Sequence, residues 1–301
     1  MTSSTHPPAL SLFGHPYSVL APVTGGKRQL SAEGRRPGTA LVWRLDRGAH
    51  DHDTPVVRDR PGGLPLVVIL PRFGGPASHP GLGGVVDSVR PCAVLPYHPD
   101  PDPDDLCAVL RRPPEDLAVE ITDYVAWRGL RLDRETVHLV RRIVGLSSDL
   151  RSISALSRSL YMSRRALGRR FVARGLPVPS HWLHFARLLR VAIRLQNSDD
   201  SVLSVGYELG YPDAFSLSNQ MVRLTGYRPS EARAFLGWEW LLEAWLRKEA
   251  DQGSLAPDLS QDLHTETTSP GDAGSAPILG RVAEARPSAL RPQGDPERAA
   301  G

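Results

Sequence analysis

Several absences narrow the reading of this 301-residue chain before any motif does. Cys92 and Cys107 are the only cysteines, too few for a disulfide framework and too far apart for a metal or redox motif. No apolar run approaches the roughly 20 residues of a membrane span. Residues 1–8 lack a basic region followed by an apolar stretch, so a secretory signal is not expected and the cytoplasm is the expected compartment. There is no G-x-x-x-x-G-K-[ST] loop, no G-x-S-x-G elbow and no clustered Cys/His set. The glycines between positions 74 and 84 lack the strand–G-x-G-x-x-G–helix setting of a dinucleotide site, and Asp100, Asp102 and Asp104 lack EF-hand spacing. His50-x-His52 has no downstream glutamate to complete a metal set. No cofactor, no metal and no catalysis are expected. Lysine occurs only as Lys27 and Lys248 among 36 basic residues, an arginine bias that fits a GC-rich genome.

The most informative absence is local. Residues 150–198 contain neither Asp nor Glu, yet they hold Arg151, Arg158, Arg164, Arg165, Arg169, Arg170, Arg174, Arg187, Arg190 and Arg194. A globular surface normally mixes both signs, so a stretch of one sign asks for an anionic partner. The net charge of +3 conceals this asymmetry: residues 1–146 carry 17 basic and 16 acidic side chains, residues 147–248 carry 15 and 8, and residues 249–301 carry 4 and 9.

The chain divides by pattern. Residues 1–38 are rich in Gly, Pro and Ser without a lasting period and read as a flexible lead-in. Strands are expected at residues 40–46 (ALVWRLD), 64–70 (LPLVVIL, buried on both faces) and 92–97 (CAVLPY), with a polar loop at residues 50–53 and the start of a helix at 85–89. Asp104 or Asp105 caps a helix towards Arg112, and helices follow over 117–127 and 134–144. Residues 39–146 thus form a small α/β domain with a sensory or dimerisation role, for which a degenerate receiver-like fold is one form. Residues 147–248 are all-helical. Residues 249–301 hold few large apolar side chains and read as a disordered tail.

Within the helical region, a pair of segments echo each other. In residues 153–171, Ile153, Leu156 and Leu160 line a short helix, Ser157 is the small residue at a crossing, Tyr161 and Met162 turn the chain, Ser163 caps a second helix, and Leu167 and Phe171 anchor it. In residues 202–221 the same roles fall to Val202, Val205 and Leu209, then Gly206, Gly210, Asp213, and Leu217 with Met221. Helix, tight turn and capped second helix is helix-turn-helix logic. The second helix must keep an outer face free to enter a groove about 12 Å wide. Residues 181–196 join the two copies as one long helix, where Trp182 and Phe185 are expected in the core, and Arg187 and Arg190 are structural or phosphate-facing.

These elements together resemble the DNA-binding domain of the AraC/XylS family of bacterial transcription regulators, over about residues 147–240. The resemblance rests on S-R-R-A-L-G-R-R-F (163–171), G-L-P-V-P (175–179), R-L-L-R-V-A (187–192), V-L-S-V-G-Y-E-L-G-Y-P-D (202–213) and T-G-Y-R-P-S-E-A-R (225–233). It implies a seven-helix domain with two helix-turn-helix units, each presenting a recognition helix to the major groove of duplex DNA. The implied contacts are Ser163, Arg164, Arg165, Gly168, Arg169 and Arg170 in the first unit. In the second they are Asp213, Ala214, Phe215, Ser218 and Asn219. Ser157 and Gly206 stand where the family usually has alanine, Tyr161 where it often has glycine, Asn219 where arginine is common and Met221 where phenylalanine is usual. The first unit is therefore expected to dominate. Family resemblance also leaves room for RNA polymerase, a small-molecule effector at the N-terminal domain and a second copy of the chain as partners, and for no membrane. The competing reading is a small-molecule-binding or enzymatic α/β domain with the basic helices as an accessory interaction module.

Overall fold

The computed structural model describes residues 8–45, 50–71 and 82–256, all within one compact unit. Among them five strands make one sheet: β1 (Leu10–Phe13), β2 (Leu20–Pro22), β3 (Ala40–Arg44), β4 (Leu66–Ile69) and β5 (Ala93–Leu95), in the order β2-β1-β3-β4-β5. β3, β4 and β5 run parallel, with Leu41 opposite Leu66 and Val67 opposite Ala93. β1 runs antiparallel to both of its neighbours. A receiver-type sheet has this strand order, but here β1 and β2 form a hairpin, with no helix crossing between them. Helices α1 (Gly26–Glu33), α2 (His50–Arg58), α3 (Leu82–Val89), α4 (Pro103–Arg111) and α5 (Leu117–Trp127) accompany the sheet.

The fold corrects four expectations. The lead-in of residues 1–38 contains β1, β2 and α1, and β1 lies inside the sheet with all four residues buried. Its sequence, Leu-Ser-Leu-Phe, is too short to show a period, and its stability comes from pairing with β3 some thirty residues on. The polar loop at residues 50–53 opens α2, and residues 85–89 end α3 instead of beginning a helix. The cap of α4 is Asp102, whose carboxylate accepts from the Asp104 N–H at 2.9 Å, with Pro103 at the first helical position where its missing N–H costs nothing.

Alternation along the strands gives the sheet two apolar faces. Ala40, Val42, Val67 and Ile69 meet Leu106 and Leu110 of α4, together with Leu236. Leu41, Trp43, Leu66 and Val68 meet α1, α2, α3 and α5, and this core continues without a break into the helical half. That half comprises α6 (Arg134–Leu146), α7 (Ile153–Ser159), α8 (Arg164–Val172), α9 (Pro179–Gln196), α10 (Val202–Glu208), α11 (Ala214–Thr225), α12 (Pro229–Ala234) and α13 (Glu239–Asp251). α9 runs through its centre: Trp182, Phe185, Leu188, Leu189 and Ala192 are fully buried. Phe185 stacks on Trp245 of α13 at 4.4 Å, and Trp182 meets the same ring edge-on.

α6 packs against α5 on one side and α9 on the other. Arg190 of α9 donates to Ser147 Oγ and to the Val144 carbonyl at its C-terminal end. α13 is shared with the sheet: Trp240 Nε1 donates to the Thr39 carbonyl at 3.0 Å, and Glu243 accepts from Tyr124 and Arg128 of the α5 region. The expected disordered tail begins inside ordered structure, since α13 reaches Asp251 and Leu255 is buried. Residues 257–301 lie outside the described residues. No helix among the described residues is long and apolar enough to cross a membrane.

Candidate nucleic-acid interface

The two helix pairs α7–α8 and α10–α11 are built by the same local rules. In the first, Leu156 and Ser157 are buried on α7, and Leu167 and Phe171 on α8. The turn is closed by the Met162 N–H donating to the Ser157 carbonyl at 3.0 Å. Ser163 Oγ then accepts from the Ala166 N–H at 3.1 Å, satisfying one of the free donors at the start of α8. In the second pair, Val205 and Gly206 are buried on α10, and Leu217 and Met221 on α11. The Tyr211 N–H donates to the Gly206 carbonyl at 2.9 Å, the counterpart of the Met162 bond, and Asp213 accepts from the Ser216 N–H at 2.6 Å. Tyr161 and Gly210 occupy equivalent turn positions, and both are left-handed, with φ of 52° and 80°. Glycine adopts that region freely; a tyrosine does so at a cost.

Both crossing positions depart from alanine, and each departure has a measurable cost. Ser157 is buried and its hydroxyl has no partner among the described residues, so removing it deletes an unsatisfied polar group. A Cβ on Gly206 would meet Leu217 Cδ2 at 3.3 Å and Tyr211 Cβ at 3.7 Å, contacts that a leucine tip can relax. Ser157→Ala and Gly206→Ala are each expected to raise the unfolding free energy by up to about 1 kcal/mol, read from denaturant titrations. Destabilisation by either would mean that its crossing is packed more tightly than its contacts indicate.

The acid-free arginine run separates into two groups. Five of its arginines are structural. Arg170 pairs with Glu135 of α6 at 2.7 Å, and Arg174 bonds Asp133 at the cap of α6, holding that carboxyl down to about 2 with help from the Thr136 N–H. Arg187 is buried with its guanidinium 5.0 Å over the Tyr211 ring. Arg190 is tied to the end of α6, and Arg194 pairs with Asp200 at 3.0 Å. The other five, Arg151, Arg158, Arg164, Arg165 and Arg169, are exposed, and their side chains have no hydrogen bond or ion pair among the described residues. The Arg151 guanidinium lies over Gly210, at the turn of the other helix pair.

Of the first-unit residues expected at a groove, Arg165 and Arg169 lie on the face of α8 opposite buried Leu167 and Phe171, and Arg164 is exposed at its first position. Gly168 lies between them, and a Cβ there would meet nothing within 4 Å, so this face is open for a close approach. Ser163 is engaged as the cap, and Arg170 turns aside to Glu135. Nothing near Arg170 in the sequence sets it apart from its neighbours, because its partner lies on another helix, thirty-five residues earlier. On α11, Phe215 and Asn219 are exposed, Ala214 and Ser218 half-buried, and Asp213 is engaged as the cap. Phe215 is 74% exposed. Tyr161 is more than a turn residue: it is 97% exposed beside the N-terminus of α8. A tyrosine in a glycine-like turn position was the signal for it.

A helix with an exposed cationic side and a buried inner face, preceded by a second helix across a tight turn, has the form of a helix-turn-helix unit. Residues 156–234 match a helix-turn-helix domain. The match begins within α7 and ends with α12, so it takes in both helix pairs and the α9 linker. It supports a DNA-binding domain of the AraC type in this stretch, as the motif resemblance implied. Comparison with curated proteins finds no match.

Proposed function

We propose that the chain is a sequence-specific, DNA-binding transcription regulator of the AraC type, which reads the major groove mainly with α8. The observation that carries this reading is the set of exposed arginines on and just before α8, Arg158, Arg164, Arg165 and Arg169, which are unpaired among the described residues. Arginine is suited to the task because its planar fork can bond guanine O6 and N7 together, or grip a phosphate. Phosphate contacts supply salt-dependent affinity, and base contacts from α8 supply most of the specificity. α10–α11 acts as a second, weaker helix-turn-helix unit. Asp213, Ala214, Phe215, Ser218 and Asn219 offer it hydrogen bonds and an apolar contact for a thymine methyl, but no cation. The sheet region serves a sensory or dimerising role, and no catalysis is assigned to the chain.

In-vitro selection from random duplex DNA tests this reading. A conserved core is expected, and binding to it should weaken as salt rises while keeping its preference over random duplex. Recovery of no preferred site, with equal binding to all sequences, would leave only a basic interaction surface.

A further inference from the structure

A second concentration of positive charge lies away from the helix pairs, in a cavity of about 430 Å³ between α1, α2 and the end of α5. Lys27, Arg35, Arg58, Arg60 and Arg128 line it, against the single carboxylate of Asp59. That carboxylate is already shared, 3.2 Å from Lys27 Nζ and 3.6 Å from Arg58 Nε. Arg60 is buried and donates to the carbonyls of Val57, Leu64, Val89 and Arg90, while its guanidinium lies 4.3 Å over Trp127. Burial and the neighbouring Arg90 lower its pKa to about 10, which leaves it cationic at neutral pH. Arg128 donates to Glu243.

Arg35 differs from all of these. Among the described residues its guanidinium has no hydrogen bond or ion pair, although its Nε is buried. A buried donor left unsatisfied beside an open cavity calls for an acceptor that the protein itself does not provide. A cavity walled by one sign of charge also concentrates the opposite sign.

We propose that this cavity binds a small polyanion with clustered oxyanions, a phosphate ester or a di- or tricarboxylate. Arg35 supplies the uncommitted fork. Lys27 and Arg58 turn from their half-exposed carboxylate to the ligand, and Arg60 and Arg128 set the positive potential from beneath. Trp127 forms an apolar wall for the body of the ligand. Because Arg128 also holds Glu243, the site lies one side chain from the network that joins the sheet to α13. The proposal stands apart from the reading of α8.

The test is isothermal titration of the full chain with pyrophosphate and, separately, with citrate, at constant ionic strength set by sodium chloride. Saturable one-to-one binding of at least one anion is expected. Pyrophosphate alone assigns a phosphate ester, and citrate alone assigns a carboxylate. Arg35→Gln should weaken binding at least tenfold at an unchanged thermal midpoint, and Arg165→Ala on α8 should leave it unchanged. Absence of saturable binding to both anions overturns the proposal. So does binding that survives Arg35→Gln, or binding lost in Arg165→Ala, which would put the anion on the DNA-facing helix.

Discussion

Replacing Glu243 by alanine is expected to lower the unfolding free energy by about 3–5 kcal/mol, the usual cost of removing one partner of a buried ion pair. The carboxylate is 2% exposed. It accepts from Tyr124 Oη at 2.7 Å, from Arg128 Nε and Nη2 at 3.0 and 3.1 Å, and from Arg247 Nε at 3.1 Å. Alanine strips the buried Arg128 cation of its carboxylate and opens a hole between α5 and α13. Removing Arg128 together with Glu243 should cost less than the two single losses combined, because neither charge is then stranded. Equilibrium denaturation of the four proteins of this cycle checks the point, and a single-variant loss below about 1 kcal/mol would contradict it.

The same group sets an acid dependence. Burial by itself would raise the Glu243 carboxyl, but the Arg128 and Arg247 charges and the Tyr124 hydroxyl outweigh burial and hold it below the ordinary value. A carboxyl depressed by folding adds stability that is fully present above its unfolded pKa, about 4.3, and is lost as pH falls through the folded value. Wild type should therefore lose stability more steeply below that pH than Glu243→Ala does. Parallel slopes would show that the network contributes nothing to the acid transition.

The second large effect is on DNA. Arg165→Ala and Arg169→Ala together are expected to weaken binding to a selected duplex by about 2–5 kcal/mol, taking roughly 1–3 kcal/mol for each base-reading arginine and allowing for coupling between them. The dependence of log affinity on log salt should also become shallower, by up to about two if both side chains reach phosphate as well as bases. Both side chains are exposed and unpaired among the described residues, so the thermal midpoint should not move. Arg170→Ala should do the opposite. Its bond to Glu135 makes it a member of the α6–α8 contact, so it should affect stability more than DNA affinity.

How much of this was legible in the sequence follows from the range over which each feature is stabilised. α5, α6 and the helices from α7 to α12 rest on periodic apolar residues and nearby caps such as Ser163 and Asp213, all of which can be read locally. β3, β4 and β5 show as short apolar runs. β1 and β2 do not, because Leu10 and Phe13 gain their burial from strands and helices far along the chain. The arginine run was visible as a charge anomaly, but its division was not. Arg170, Arg174 and Arg190 are matched to α6 only after the chain has folded, whereas Arg164, Arg165 and Arg169 are left facing outwards. Charge clustering falls largely within the stretch that matches a helix-turn-helix domain, but five of its ten arginines are engaged with other parts of the chain. The junction between sheet and helices, built on Glu243, Tyr124 and Trp240, left no local pattern.

Base reading by the outer face of α8 can be measured with wild type and Arg165→Ala against the selected duplex and every single-base-pair substitution of it, at fixed salt, by fluorescence anisotropy. The predicted result is that Arg165→Ala loses discrimination at one base pair, by about 1–3 kcal/mol, and keeps the wild-type preferences elsewhere. A uniform loss of affinity at every sequence would reduce Arg165 to a phosphate contact. Unchanged affinity and unchanged preferences would contradict the assignment of α8 as the recognition helix.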